Sequence, residues 1–456
     1  MSGFTPGRAA ALPGPEWLRR RRAEAAEDAA AMPMPSEKEE VWRYTPIDEL
    51  RLEDFAPRPG GTRTALGDLG EAFVEGIAAD LPGRGALVVA CDGTPVALER
   101  SGLPDTVRFG GIVGPPSPGP VGGPDGQELL GQVLTDGDVL VRLNDAFHPD
   151  AIVLDVPAGV VLEGPVVLVQ WCSTEGVAPA PASFPRTVVR LGRGASAEVV
   201  EIVVGAPGEG RGLVVPVTEL VVGDGAHLAY ASCQVLGSGA WHLGRLAAVA
   251  GRDSTLRTFT VGLGADYDRS RTDAVAGGAG STTELRSAYL GTGTQVHDVR
   301  TLQDHAAPHT TSDLLCKGAV AGHARSVYSG LIRVRHGAVR TNAFQTNHNL
   351  VLDEGAHADS VPNLDIQEND VRCSHASTVG PVDVDQRYYL ESRGIPPERA
   401  EQLIVLGFFD DIVGRSPVPS FVPRMRREVG LRLAEALALG TGAEDRELTG
   451  EVRRDG

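Results

Sequence analysis

The sequence predicts a mainly β protein, a right-handed parallel β-helix core flanked by N-terminal and C-terminal α-helical domains. Three observations carry that expectation. Across residues 139–374, short Val/Ile/Leu runs recur between small turn residues, as at 151–155, 160–169, 187–191, 198–204 and 214–222. The 3.6-residue helical period is largely absent over the same stretch. The breaks share a Gly-Ala step, at Gly194-Ala195, Gly225-Ala226, Gly278-Ala279, Gly337-Ala338 and Gly355-Ala356. A strand wound as a solenoid needs a small residue at each corner, where the backbones of successive coils stack closely. An antiparallel barrel is the structural alternative.

The elements follow in chain order. Residues 1–113 read as a helical and mixed N-terminal domain, with 15–58 largely helical. Pro15 suits a first turn, 17–31 is rich in Arg, Glu and Ala, and Ser36 with Glu39 forms a capping-box pattern. Residues 62–113 take no assignment, because short apolar runs alternate there with Gly and Pro. Residues 114–126 (GPPSPGPVGGPDG) are a Gly/Pro-rich linker. The β-helix core spans 127–380, and a C-terminal helical domain spans 381–440. Asp383 caps its first helix and Gly394 closes it. Pro396-Pro397 opens a second helix, striped by Leu403, Ile404, Leu406, Phe408 and Ile412, and 422–439 makes a third. Residues 441–456 are polar and charged, a disordered tail.

Composition narrows the function. The 456 residues hold 42 Lys+Arg against 60 Asp+Glu, a net charge of −18. That sign opposes nucleic acid or an anionic membrane as the main partner. Five cysteines without a CxxC pair make neither a disulfide framework nor a cysteine-only metal site. The start lacks an apolar signal region and no run of 18 apolar residues occurs, which reads as a cytoplasmic protein. Neither lysine, Lys38 or Lys317, stands in a Gly-Lys-Ser/Thr phosphate loop, so the chain does not carry that ATPase motif. Gly192-Arg-Gly194-Ala-Ser-Ala197 has dinucleotide-loop spacing, but a strand follows it instead of a helix. His305 and His309 have the spacing of a zinc helix, but Pro308 would break that helix, so they read as loop histidines.

Eight of the eleven histidines fall in 297–375, together with Cys316 and Cys373. A solenoid stacks residues one coil apart, so several could share a surface. Cys373-Ser374-His375 is the sharpest local feature. Positions i and i+2 of a strand face one side, which places a thiol beside an imidazole that would favour the thiolate. Sulfur and nitrogen donors together suit iron, zinc or a sulfur-transfer step. The plainer alternative is a core cysteine next to an incidental histidine.

The surrounding text, from Asp359-Ser-Val-Pro-Asn-Leu-Asp through Cys373-Ser-His-Ala-Ser-Thr-Val-Gly380, resembles the SufB/SufD family of iron–sulfur cluster assembly scaffolds. So do Asp385-Gln-Arg-Tyr-Tyr-Leu-Glu-Ser-Arg-Gly-Ile395, Tyr328-Ser-Gly-Leu-Ile-Arg-Val334, 340–351 and Glu40-Val-Trp-Arg-Tyr-Thr45. The Cys-Ser-His form is similar to the SufD branch. The SufB branch carries Glu-His-Glu at that place and an essential cysteine at or near the position of His348. One departure is Ala-Ser where the family usually has Gly-Ala after the histidine. The resemblance implies a parallel β-helix and a role for His375, helped by Cys373, as catalytic and metal-binding residues shared with a partner chain. The cargo would be a transient iron–sulfur cluster at that interface. SufB would bind the β-helix near 340–375, and two copies of the ATPase SufC would involve docking on 381–440. A cysteine desulfurase system would donate sulfur through the complex. Reduced flavin has no support in the residues. The alternatives are a β-helix carbohydrate-active enzyme and a homodimeric scaffold acting without SufB.

Overall fold

The computed structural model describes residues 3–113, 124–134, 137–174 and 178–448. Two sheets face each other across a narrow bore and make a parallel β-solenoid of about seven turns. The first sheet stacks Ile152–Val156, Arg186–Leu191, Val217–Val222, Ala240–Ala250, Tyr267–Ala276, Val296–His305, Arg325–Val334 and His357–Ile366. The second stacks Val166–Trp171, Ser196–Val204, His227–Val235, Thr255–Gly262, Thr282–Gly291, Thr311–Val320, Asn342–Val351 and Arg372–Gly380. Successive strands alternate between the sheets, and each pairs in parallel with the equivalent strand of the next coil. The parallel β-helix expected from the sequence is therefore the fold.

The apolar runs lack strict alternation because much of both strand faces is covered. Inward residues such as Leu168, Val199, Leu228, Leu256, Leu285 and Leu314 fill the bore. Outward residues of the second sheet, among them Ile202, Cys233, Phe259 and Val261, pack under Val405, Phe409, Met425, Val429 and Leu433 of the C-terminal helices. Helices Glu16–Ala31 and Val139–Phe147 pack with the N-terminal segment against the outside of the first sheet.

One corner explains the turn residues. Gly194, Gly225, Asp253, Gly280, His309 and Arg340 all have positive φ. Each donates its N–H to a carbonyl one coil on, from Gly194 to Asp224 at 2.9 Å through His309 to Val339 at 2.9 Å. The next residue is in every case small and buried: Ala195, Ala226, Ser254, Ser281, Thr310 and Thr341. The Gly-Ala steps at 194 and 225 belong to this ladder. At 278–279 the left-handed place is taken instead by Gly280, with Ser281 turned inward.

Other boundaries differ from the sequence reading. Helix Glu16–Ala31 is followed by short 3-10 turns and the strand Phe55–Pro57, because Pro33, Pro35 and Pro46 interrupt 15–58. Half of the capping box forms, with Glu39 accepting from the N–H of Ser36 at 3.2 Å. The second sheet begins inside 1–113, since Ala86–Cys91 pairs in parallel with Val166–Trp171. Thr94–Glu99 and Arg108–Gly111 then pair antiparallel, one at the starting edge of each sheet. Residues 114–123 of the linker lie outside the described residues, and its last three enter helix Pro124–Leu129. At the other end Asp383 accepts from the N–H groups of Asp385 and Gln386 to cap Val384–Ser392, and Gly394 closes it at φ +84°. Pro397–Val413 and Val422–Leu448 follow, the last reaching into the segment read as a tail, whose residues 449–456 lie outside the described ones. Among the described residues no helix is long and apolar enough to cross a membrane.

Candidate functional site

The last coil, His357–Ile366 with Arg372–Gly380, ends both sheets and pairs on one side only. Strand alternation therefore decides what its open end offers. The N–H of Arg372 donates inward along the sheet to Thr341 at 2.8 Å. In a parallel strand the intervening residues, Cys373, His375, Ser377 and Val379, aim their N–H groups at the free edge. The same residues turn their side chains toward the mouth of the bore. Across it, the first sheet contributes Ser360, Pro362, Leu364 and Ile366.

The two sequence-predicted site residues thus lie together on one face of the terminal strand. Cys373 is half-buried beside Ala343, Ile332 and Val334, while His375 is exposed. Burial pushes the Cys373 thiol up, away from the thiolate that an adjacent imidazolium would favour. Farther along, Ser377 donates to Ser360 at 2.6 Å and Ser360 accepts from the Asn347 amide at 2.9 Å, tying the two sheets across the mouth. Cys373 and His375 supply two soft or borderline donors, against the four that zinc and iron–sulfur sites usually take. Among the described residues no group of three or more His, Cys, Asp or Glu side chains is set to hold a metal ion.

The remaining histidines do not converge on the mouth. His348 faces outward, with Nδ1 2.5 Å from the Thr378 hydroxyl. Partial burial and then the nearby Lys317 charge hold its imidazole down. Lys317 itself reaches the C-terminal helix Pro397–Val413, donating to the Phe408 carbonyl at 3.1 Å and pairing with Asp411 at 2.8 Å. His305 is buried between the hydroxyls of Thr310 (2.7 Å) and Ser312 (2.8 Å), and His309 occupies the left-handed corner, so neither sits on a zinc-binding helix.

Sequence reasoning missed a buried constellation on coils deeper in the solenoid. His242, Asp268 and His297 occupy equivalent places on three successive coils. Both imidazoles meet the same carboxylate, at 2.7 and 3.1 Å. Burial alone would raise the Asp268 carboxyl, but the hydrogen bonds and charge of the two histidines outweigh it and hold the group far below the usual carboxylate range. The coil period was the signal that could have found this trio.

Exposed side chains gather at a second place. Val384, Tyr388 and Tyr389 stand out from helix Val384–Ser392, none of whose residues is buried. A cavity of about 450 Å³ lies beside it, lined by Asp383, Asp385, Gln386, Tyr389, Leu390 and Ile404.

Comparison with known proteins follows this geometry. The SUF system FeS cluster assembly SufBD core domain matches residues 173–408, from just after the strand Val166–Trp171 through the mouth into the C-terminal helices. An iron–sulfur cluster assembly SufBD family protein of Mycobacterium tuberculosis is 31% identical over 408 residues, covering 87% of this chain and 89% of that protein. The iron–sulfur cluster assembly protein SufD of Bacillus subtilis is 29% identical, covering 89% and 91%. That of Escherichia coli is 26% identical, covering 88% and 89%.

Proposed function

The chain belongs to the SufB/SufD family of SUF-system iron–sulfur cluster assembly proteins, and from that membership we propose that it is a SufD-type scaffold subunit. It works without catalysing nucleotide hydrolysis itself. The open mouth of the solenoid joins a SufB partner, and the cluster is assembled as cargo between the two chains. His375 contributes a ligand or proton acceptor there, with Cys373 beside it. The C-terminal helices dock the ATPase SufC, and a cysteine desulfurase system supplies sulfur through the complex in the cytoplasm.

One observation carries the reading: the only residues of the Cys-Ser-His motif that face the bore, Cys373 and His375, stand on the terminal strand, whose outer edge is unpaired. Donors at that place are incomplete without a second chain and accessible to one. The exposed face of Val384–Ser392 supports the SufC assignment in the same way, as an apolar and aromatic surface uncovered in the single chain.

The test is reconstitution with SufB, SufC, iron and a sulfur donor. A His375→Ala variant should still co-purify with its partners and yield severalfold less cluster, read from the visible absorbance band. Full cluster yield from that variant would overturn the role of His375. A second reading, self-association through the same open edges, is checked by the mass of the isolated chain with and without SufB.

A further inference from the structure

The residue beneath His375 is chemically out of place. Val199, Tyr230, Thr258, Leu285, Leu314, Gln345 and His375 form one column along the second sheet, each in register with the next. Gln345 is buried in this column, yet neither its amide oxygen nor its amide nitrogen has a hydrogen-bond partner. A sealed and unpaired amide is costly, and native interiors rarely keep one without a reason. Below it Leu314 offers nothing polar. Across the bore stands Gly330, where a Cβ would come within 2.5 Å of Gln345 Nε2 and 2.4 Å of the Tyr328 hydroxyl. That hydroxyl is already engaged with Thr301 at 3.2 Å. The next residue of the column, one strand spacing of about 4.8 Å above, is His375.

We propose that Gln345 is a positioning residue for His375. Its amide turns toward the mouth and bonds one ring nitrogen, which selects the tautomer and ring plane and leaves the other nitrogen for the incoming cargo or partner. Gly330 is what lets the long side chain swing, because any side chain there would occupy the amide's space. Other groups near the imidazole do not compete for that bond. Cys373 is the titratable neighbour on its own strand, and the facing strand turns Ser360, Pro362 and Leu364 inward. The charged residues of that strand are engaged elsewhere, Asp359 with His357 at 3.3 Å and Asp365 with Arg333 at 3.0 Å.

The proposal rests on His375 being the working residue, and the experiment separates the two claims. In the full-length chain with ¹⁵N-labelled histidine, the His375 ring signals are assigned by their loss in His375→Ala. The neutral wild-type ring should be dominated by one tautomer. Gln345→Leu should relax it toward the mixture of a free imidazole. Gln345→Glu, which keeps an acceptor at the same reach, should restore a single tautomer, and Gln345→Met replaces the leucine variant if that one does not fold. In the reconstituted complex Gln345→Leu should lower cluster yield severalfold. Ring shifts identical in wild type and Gln345→Leu would overturn the proposal. Ring shifts that change while His375→Ala assembles clusters normally would overturn the scaffold role of His375 and leave the pairing standing.

Discussion

His305 illustrates how the bore treats a titratable side chain. Burial pulls its pKa from 6.5 down to about 4, with the neighbouring Asp304 charge working the other way. The unfolded chain therefore takes up a proton first on acidification. The stability that the neutral ring contributes is complete above pH 6.5 and is lost as the pH falls toward 4, at up to about 1.4 kcal/mol per pH unit. A His305→Asn variant should flatten that part of a urea-denaturation series between pH 6.5 and 4. Asp268 lies at the opposite extreme. Asp268→Asn removes the charge and turns an amide NH2, a donor, toward one of the two buried imidazoles in place of an acceptor oxygen, and should cost about 3 kcal/mol in the same assay at neutral pH. Of these residues the sequence singles out only His305 individually, as a loop histidine, whereas it ends the strand Val296–His305. Its spacing to His309 imitates a metal helix, whereas its real neighbours, Thr310 and Ser312, are hydroxyls no spacing rule flags.

At the scale of the element, the corner ladder is where sequence and structure meet most closely. Two Gly-Ala steps mark it openly, at 194 and 225. Four coils disguise it, because Asp253, His309 and Arg340 adopt the left-handed conformation without being glycine, and Gly280 sits one residue past an apparent step. A side chain at Gly225 would pay the left-handed penalty, so Gly225→Ala should lose about 1 kcal/mol in chemical denaturation. His309→Gly should leave stability level or slightly raised, because relief at the corner offsets the greater freedom of the unfolded chain. Strand identity was legible from the apolar runs, and the C-terminal helices from Asp383, Gly394 and Pro397. The strand Ala86–Cys91 escaped notice because local pattern does not reveal which distant strand completes a sheet.

For the whole molecule, the decisive asymmetry is between its two ends. At the mouth the terminal strand presents unpaired donors and acceptors, an arrangement that proteins otherwise blunt or cover. Val379 aims its N–H outward and is exposed, so Val379→Pro removes an edge donor while sparing the bonds to Asn342–Val351. The variant should keep the wild-type circular dichroism and melting temperature and lose association with its partner in light scattering. The motif 373–375 was legible as a candidate site, but its placement on an edge was not, since edge or centre depends on how many coils follow.

The opposite end carries a further implication. There Thr94–Glu99 and Arg108–Gly111 run against the direction of the strands beneath them. A coil cannot be continued past a reversed strand in the same winding sense. Growth by coil addition is therefore permitted at one terminus and refused at the other. Two such chains can meet mouth to mouth, and the object they form has no remaining end that accepts a third. The reversed strands act as a counting device: they let the solenoid use a naked sheet edge for recognition without becoming the first unit of a fibre.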